Sequence, residues 1–328
     1  MTKPAAWLLS FGILLFAGVL VSQGLPAILA TLARAGWGLL LVALFHLLPL
    51  ALDAVAICVL FERKISLGTL ADSLLARWVG ESANSLMPGG QIGGPVLMAR
   101  HLAHRGMRME DAAAAITVST TLQTFAQIAF ALIGVVLLGA QAGRTLDLRA
   151  SALIASAFLG VQVVGFYLIQ RRGLFSKLTY AVRRIFGNRD WSHWVNRAQA
   201  IDLAVQGTYR RNGPVTSSFL LSLVGWLVGT GEVYLITMLL GTPVSWRDAL
   251  LLESLGQAIR GAGFAIPGAL GVQEGGYLLL APLASLAPDA ALALSLAKRA
   301  RELLLGLPGL LYLHLATRDA ASAAGTIP

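Results

Sequence analysis

The chain has 328 residues, 56% hydrophobic and 12% charged, with a mean hydropathy of +0.73 and a net charge of +9. Soluble domains carry about 25% charged residues, so this balance excludes an ordinary soluble fold and indicates an all-α, polytopic membrane protein forming one integral domain over residues 1–328. The basic residues gather at the ends of apolar runs, which points to anionic lipid headgroups rather than nucleic acid as partner.

A membrane-spanning helix needs about 20 apolar residues. Residues 7–32 read as an uncleaved first span, because no small-x-small cleavage site leads into a polar mature chain. Residues 37–61 form the second span. It carries Asp53 near one end and the single cysteine, Cys58, which allows no intrachain disulfide and reads as packing. Residues 67–98 are apolar but interrupted. Their core, GESANSLMPGGQIGGPVLMAR from Gly80 to Arg100, holds a Glu, an Asn, a Gln, two prolines and five glycines. Spans at 112–138 and 150–169 complete a first half, residues 1–170.

Residues 171–211 carry nine Arg and Lys against Asp190 and Asp202. Leu174, Phe175, Leu178, Ala181, Val182, Ile185 and Phe186 recur at helical spacing, with Lys177, Arg183 and Arg184 elsewhere on the wheel. Two readings stay open: a basic amphipathic helix in the cytoplasmic interface with Trp191 and Trp194 at headgroup depth, or a solvated linker. The second half, residues 212–317, starts with a span at 215–240 containing Glu232. A second interrupted stretch follows at 249–287, then a span at 291–315 and a tail at 318–328. In the last span Lys298, Arg301 and Glu302 share a face, where Lys298 and Glu302 could pair, while Arg299 points about 100° away from Lys298.

The interrupted stretches break at Pro88-Gly89 and Pro267-Gly268, and each half is short for a span. Read as two re-entrant half-helix pairs, they close a topology with both termini cytoplasmic. Sixteen basic residues then lie inside and four outside, as the positive-inside rule requires. Arg77, Arg260, Lys298, Arg299 and Arg301 remain at membrane depth. Irregular backbone survives there only where protein or a water-filled cavity satisfies it. Paired interrupted segments in two halves point to a transport site within an inverted repeat. Ionisable groups inside spans are functional candidates, which adds Glu81, Glu232, Arg260 and Arg301 as groove residues, and the polar Asn84 of the interrupted stretch joins them. Packing glycines and kinking prolines are the plainer account.

The motifs for a serine nucleophile elbow, a zinc-binding HExxH, a Walker A loop and a dinucleotide fold are absent from the sequence. His46, His101, His104, His193 and His314 are scattered, with His101 and His104 read as cytoplasmic loop charge. The expectation is therefore a protein with no metal, no cofactor and no enzymatic activity.

PGGQIGGPVLMARHLAHRGM, IPGALGVQEGG and the final AKRARELLLGLPGLL resemble the flippase-like integral membrane family, that of the transmembrane region of lysylphosphatidylglycerol synthases. The nearest likeness is to bacterial hopanoid-biosynthesis-associated membrane proteins. The resemblance covers nearly the whole chain. It implies a multi-pass protein of the bacterial inner membrane that moves a polar lipid, phospho- or hopanoid-type, between leaflets. It carries over Pro88, Gln91, Gly93, Gly94 and Arg100 in the first loop, Pro267, Gly268, Gly271 and Glu274 in the second, and Arg299 in the last helix. Cations at depth beside a polar cavity suggest an anionic ligand, so in such a groove Arg260, Arg299 and Arg301 would hold phosphate, and Glu81 and Glu274 an amine or proton. Two positions depart from the family: Pro95 stands where relatives usually have an acidic residue, and Met98 where they often have Arg. The aminoacyl-transfer domain of the synthases is not expected here. A non-transporting partner of lipid-biosynthetic enzymes and a membrane-embedded lipid-modifying enzyme remain alternatives.

The sidedness is testable. A single cysteine introduced at Lys177 should react with an impermeant thiol reagent only from the cytoplasmic face; labelling from the opposite face would overturn the topology.

Overall fold

The protein is described by a computed structural model covering residues 33–87, 90–139, 163–186, 192–263 and 266–324, with residues 26, 30, 157, 160 and 161. Most of the span at 7–32, half of that at 150–169, and the Pro88-Gly89 dipeptide lie outside the described residues. So do the side chains of Gln91, Trp191, Trp194 and Pro267.

Among the described residues the fold is helical, without strands. The helices are α1 (Gly38–Cys58), α2 (Leu67–Leu86), α3 (Gly90–His104), α4 (Met109–Gly139), α5 (Leu174–Phe186), α6 (Ser192–Arg210), α7 (Asn212–Leu239), α8 (Trp246–Ala262), α9 (Val272–Leu280) and α10 (Pro288–Ala324). Short 3-10 turns at Pro267–Ala269 and Ala281–Ala284 flank α9. Among the described residues three helices, α1, α4 and α7, are long and apolar enough to cross a membrane. Helix α10 is longer still, but its apolar run is interrupted by charge. Its Leu303, Leu307, Leu311 and Leu315 are exposed and recur every fourth residue, giving an apolar outer stripe. Leu40, Leu44, Leu47 and Leu48 do the same for α1. Exposed apolar faces of this extent need a nonaqueous neighbour.

One end of the bundle is basic. There Arg63 donates to the Gly106 carbonyl, Arg105 pairs with Asp72 at 2.6 Å, and Arg211 donates to the Leu60 and Phe61 carbonyls. The helix starts are locally specified. Ser66 and Thr69 form a reciprocal capping box on α2, and Ser245 caps α8. Helix α5 is capped from another element: the buried Asp202 of α6 accepts the backbone N–H groups of Phe175 and Ser176 at 2.9 and 2.8 Å. The connector therefore contains a defined helix docked on its neighbour.

Two apolar cores fill the ends. The core at the basic end gathers Ile57, Phe61, Ala76, Met98, Leu102, Ile116 and Val205. The core at the other end gathers Val42, Leu138, Ile236, Leu252, Leu280 and Leu294. Two helical hairpins enter between them. The α2–α3 hairpin starts from the basic end, and α8–α9 starts from the other. Their tips meet: a Cβ on Gly268 would sit 3.3 Å from the Ser85 carbonyl oxygen.

Close approach explains two glycines of the first hairpin, Gly80 and Gly94. Helices α2 and α3 cross where Gly80 faces Gly94, and a Cβ on Gly94 would fall 2.8 Å from the Gly80 carbonyl oxygen as well as into Asn84. Gly94→Ala should therefore push the hairpin apart. The expected cost is about 1–3 kcal/mol, read as a lower unfolding temperature in detergent; an unchanged transition would show that the hairpin can relax freely.

Candidate functional site

Between the two cores lies a cavity of about 400 Å3, within the usual size of a small-molecule site. Helices α1, α2, α3, α4, α7, α8 and α10 all contribute to its wall. The ionisable residues on it are His46, Asp53, Arg77, Glu81, Glu232, Glu253, Arg260, Lys298, Arg301 and Glu302. Asn84, Gln123, Gln127, Gln257, Thr120, Thr124 and Ser222 add neutral polar groups.

Each cation on this wall meets a carboxylate. Arg77 pairs with Asp53 at 2.9 Å, and Gln123 donates to the same carboxylate at 2.6 Å. Lys298, 1% exposed, donates to Glu253 at 2.7 Å and lies 3.6 Å from Glu232. Arg301 reaches Glu81 at 3.1 Å and Glu232 at 3.3 Å. Arg260 pairs with Glu302 and donates to Gln273 at 2.8 Å. His46 stands between carboxylates, with Nδ1 2.8 Å from Glu232 and Nε2 2.8 Å from Glu81. Buried charges persist only when paired and hydrogen-bonded, and this lattice meets that demand across helices.

The wheel geometry of α10 sorts its charges. Lys298, Arg301 and Glu302 face the cavity, and Arg299 does not. The i, i+4 pair expected between Lys298 and Glu302 is not the pairing found. Both residues reach to other helices, Lys298 to Glu253 and Glu302 to Arg260. A neighbour on the same helix can offer only one contact on the rim, whereas facing helices surround the charge.

Of the candidates read from sequence, Glu81, Asn84, Glu232, Arg260 and Arg301 come together on the cavity wall. Arg299, Glu274, Gly268 and Gly271 assemble a separate brace at the second hairpin tip. The Arg299 guanidinium donates to the carbonyls of Gly268 and Ala269 at 2.6 and 3.2 Å, to Glu274 at 3.2 Å and to Glu302 at 3.1 Å. Glu274, fully buried, also accepts from Ser295 and from the Gly271 backbone N–H. Gly268 and Gly271 have φ of +61° and +78°, the left-handed region that favours glycine. Gly93 has open space where a Cβ would lie, and Arg100 is exposed outside the cavity wall. Pro88 lies outside the described residues.

His46, Glu253 and Gln257 escaped the sequence reading. His46 is one of five scattered histidines, and its partners lie 35, 186 and 255 residues away. The only available signal was a histidine inside an apolar run. His101, read as loop charge, is instead 6% exposed within α3 and packs against the Tyr312 ring. Asp53, which near a span end could reach water, is instead tied to Arg77 and Gln123. Asn84 Oδ1, Ser222 Oγ and Arg77 Nε are buried without a protein hydrogen-bond partner, as are Glu232 Oε1 and Arg301 Nε. Among the described residues, none of the His, Cys, Asp and Glu groups is arranged to hold a metal ion.

The sequence model of the family described as "Lysylphosphatidylglycerol synthase TM region" matches residues 7–309. No curated protein and no solved structure matches the chain.

The brace makes a stability prediction. Arg299→Ala strips partners from two carbonyls, Glu274 and Glu302. Removing one member of a buried pair costs about 3–5 kcal/mol, so the purified variant should unfold at markedly lower temperature. Arg299→Lys should recover part of this, because a point charge cannot reach all four acceptors. Native-like stability of Arg299→Ala would show that the brace is dispensable.

Proposed function

We propose, from the premise that the chain belongs to the lysylphosphatidylglycerol synthase transmembrane-region family, that it moves a polar lipid between the leaflets of a bacterial inner membrane. The observation that carries this reading is the cavity itself. A space of about 400 Å3 with ten ionisable wall residues, set between two apolar cores, is what a headgroup needs to cross while its acyl tails stay in hydrocarbon.

In this reading α2–α3 and α8–α9 are re-entrant pairs that enter from opposite faces, and the two halves form an inverted repeat. The meeting of Ser85 with Gly268 then lies at membrane depth, and rocking of one hairpin against the other exposes the cavity to alternate leaflets. Both termini face the cytoplasm with the basic end. A phosphate-bearing headgroup, phospho- or hopanoid-type, exchanges with carboxylates for Arg260 and Arg301. Arg299 acts through the hairpin tip rather than on the lipid. The protein works as a carrier rather than as an enzyme.

Gly229 offers a clean test. It lines the cavity, and a Cβ there meets nothing within 4 Å, so a side chain added at this position starts into open space. In proteoliposomes with a fluorescent phospholipid, wild-type protein should let outer-leaflet quencher reach probe that began in the inner leaflet. Gly229→Phe should fold normally yet slow this movement roughly tenfold, equivalent to about 1.4 kcal/mol on the barrier. Wild-type vesicles that match protein-free vesicles across phospho- and hopanoid-type probes would refute carriage.

A further inference from the structure

We propose that His46 is a proton-binding site whose occupancy ties the first hairpin to the second half of the bundle. The argument begins with charge. The cavity wall presents five carboxylates, Asp53, Glu81, Glu232, Glu253 and Glu302, against four permanent cations, Arg77, Arg260, Lys298 and Arg301. A neutral His46 leaves one negative charge unbalanced in a buried site. An imidazolium closes the balance.

The geometry agrees with the count. Both ring nitrogens stand 2.8 Å from a carboxylate oxygen, Nδ1 from Glu232 and Nε2 from Glu81. A neutral ring has one N–H and one lone pair. At Nδ1 that lone pair would face Glu232; at Nε2 it would face Glu81 at 2.8 Å, with Arg301 Nη1 at 3.1 Å as its one available donor. Only the doubly protonated ring donates to both. Arg301 Nη1, 3.1 Å from Nε2, also lies 3.1 Å from Glu81 Oε1, so it shares that acceptor with the imidazolium.

The charged groups facing this site come from each packed helix: Glu81 from α2, Glu232 from α7, and Arg301 and Lys298 from α10. On α1 itself Asp53 is held by Arg77, and from α8 Glu253 is held by Lys298.

The consequence is mechanical. With the proton bound, one ring on α1 joins Glu81 of the α2–α3 hairpin to Glu232 of α7. On release the N–H bond at Nε2 breaks, its electron pair stays on the ring, and the proton passes to water in the cavity. Glu81 then faces a lone pair and keeps only Arg301. The hairpin loses its tie to α7 through α1 and can swing. Proton occupancy is thereby coupled to which face of the cavity is open. This coupling to transport rests on the carrier reading; the proton site itself does not.

Two measurements separate them. Nitrogen-15 NMR of histidine-labelled protein in nanodiscs, with His46→Gln to assign the signal, should show both His46 nitrogens protonated near neutral pH in the lipid-only state. A single neutral tautomer there would overturn the site. In proteoliposomes the wild type should translocate fluorescent phospholipid roughly threefold faster or more as the pH of both compartments is raised across the range in which His46 loses its proton by NMR. His46→Gln should respond flatly over the same range. A wild-type rate that ignores pH while lipid still moves overturns the coupling and leaves the carrier reading intact. Doubly protonated His46 with no lipid movement sinks the carrier reading and leaves the site standing.

Discussion

The structure depends on pairing charge in the middle of an apolar bundle. A single Arg or Asp at the centre of a membrane helix costs about 2.5–3.5 kcal/mol on insertion scales. This protein places ten ionisable residues on one cavity wall. It tolerates them because each cation meets a carboxylate on a different helix. Arg77 of α2 meets Asp53 of α1, Lys298 of α10 meets Glu253 of α8, and Arg301 of α10 meets Glu81 of α2. The same contacts that remove the electrostatic penalty also set helix against helix. Packing in lipid lacks the hydrophobic drive available in water, so ion pairs carry a larger share of the specificity here.

The hairpin tips show how irregular backbone survives beside those charges. The 3-10 turn at Pro267–Ala269 ends in carbonyls that need donors. Arg299 supplies them, since its planar fork can serve Gly268, Ala269, Glu274 and Glu302 together. Glu274 completes the arrangement by capping α9 through the Gly271 N–H. The residues that look most like binding groups at this tip therefore build the site rather than line it. The first tip is shaped by absence of side chain instead, where Gly80 and Gly94 let α2 and α3 approach.

The two departures from the family pattern have a local account. Pro95 lies on the cavity wall within α3, and Met98 covers Gly80 at the α2–α3 crossing. Neither brings charge. The carboxylate facing the cavity from this hairpin is Glu81, already engaged by His46 and Arg301.

The sequence by itself determined the helical membrane class, the three long apolar helices that the structure describes, the Pro267-Gly268 interruption and the surplus of cations at one end. These are properties of composition and local spacing, and hydrocarbon leaves a chain little choice but helix. It also separated Arg299 from Lys298, Arg301 and Glu302, because the helical period fixes direction. It could not determine the pairing. Lys298 looked toward Glu302 four residues away, yet meets Glu253 across the bundle. His46 carried no local motif, yet Glu81 and Glu232 converge on it from 35 and 186 residues away. A charge in low dielectric takes whichever partner best surrounds it, and which partners are in reach is set by how the helices pack. Only the tertiary structure decides that.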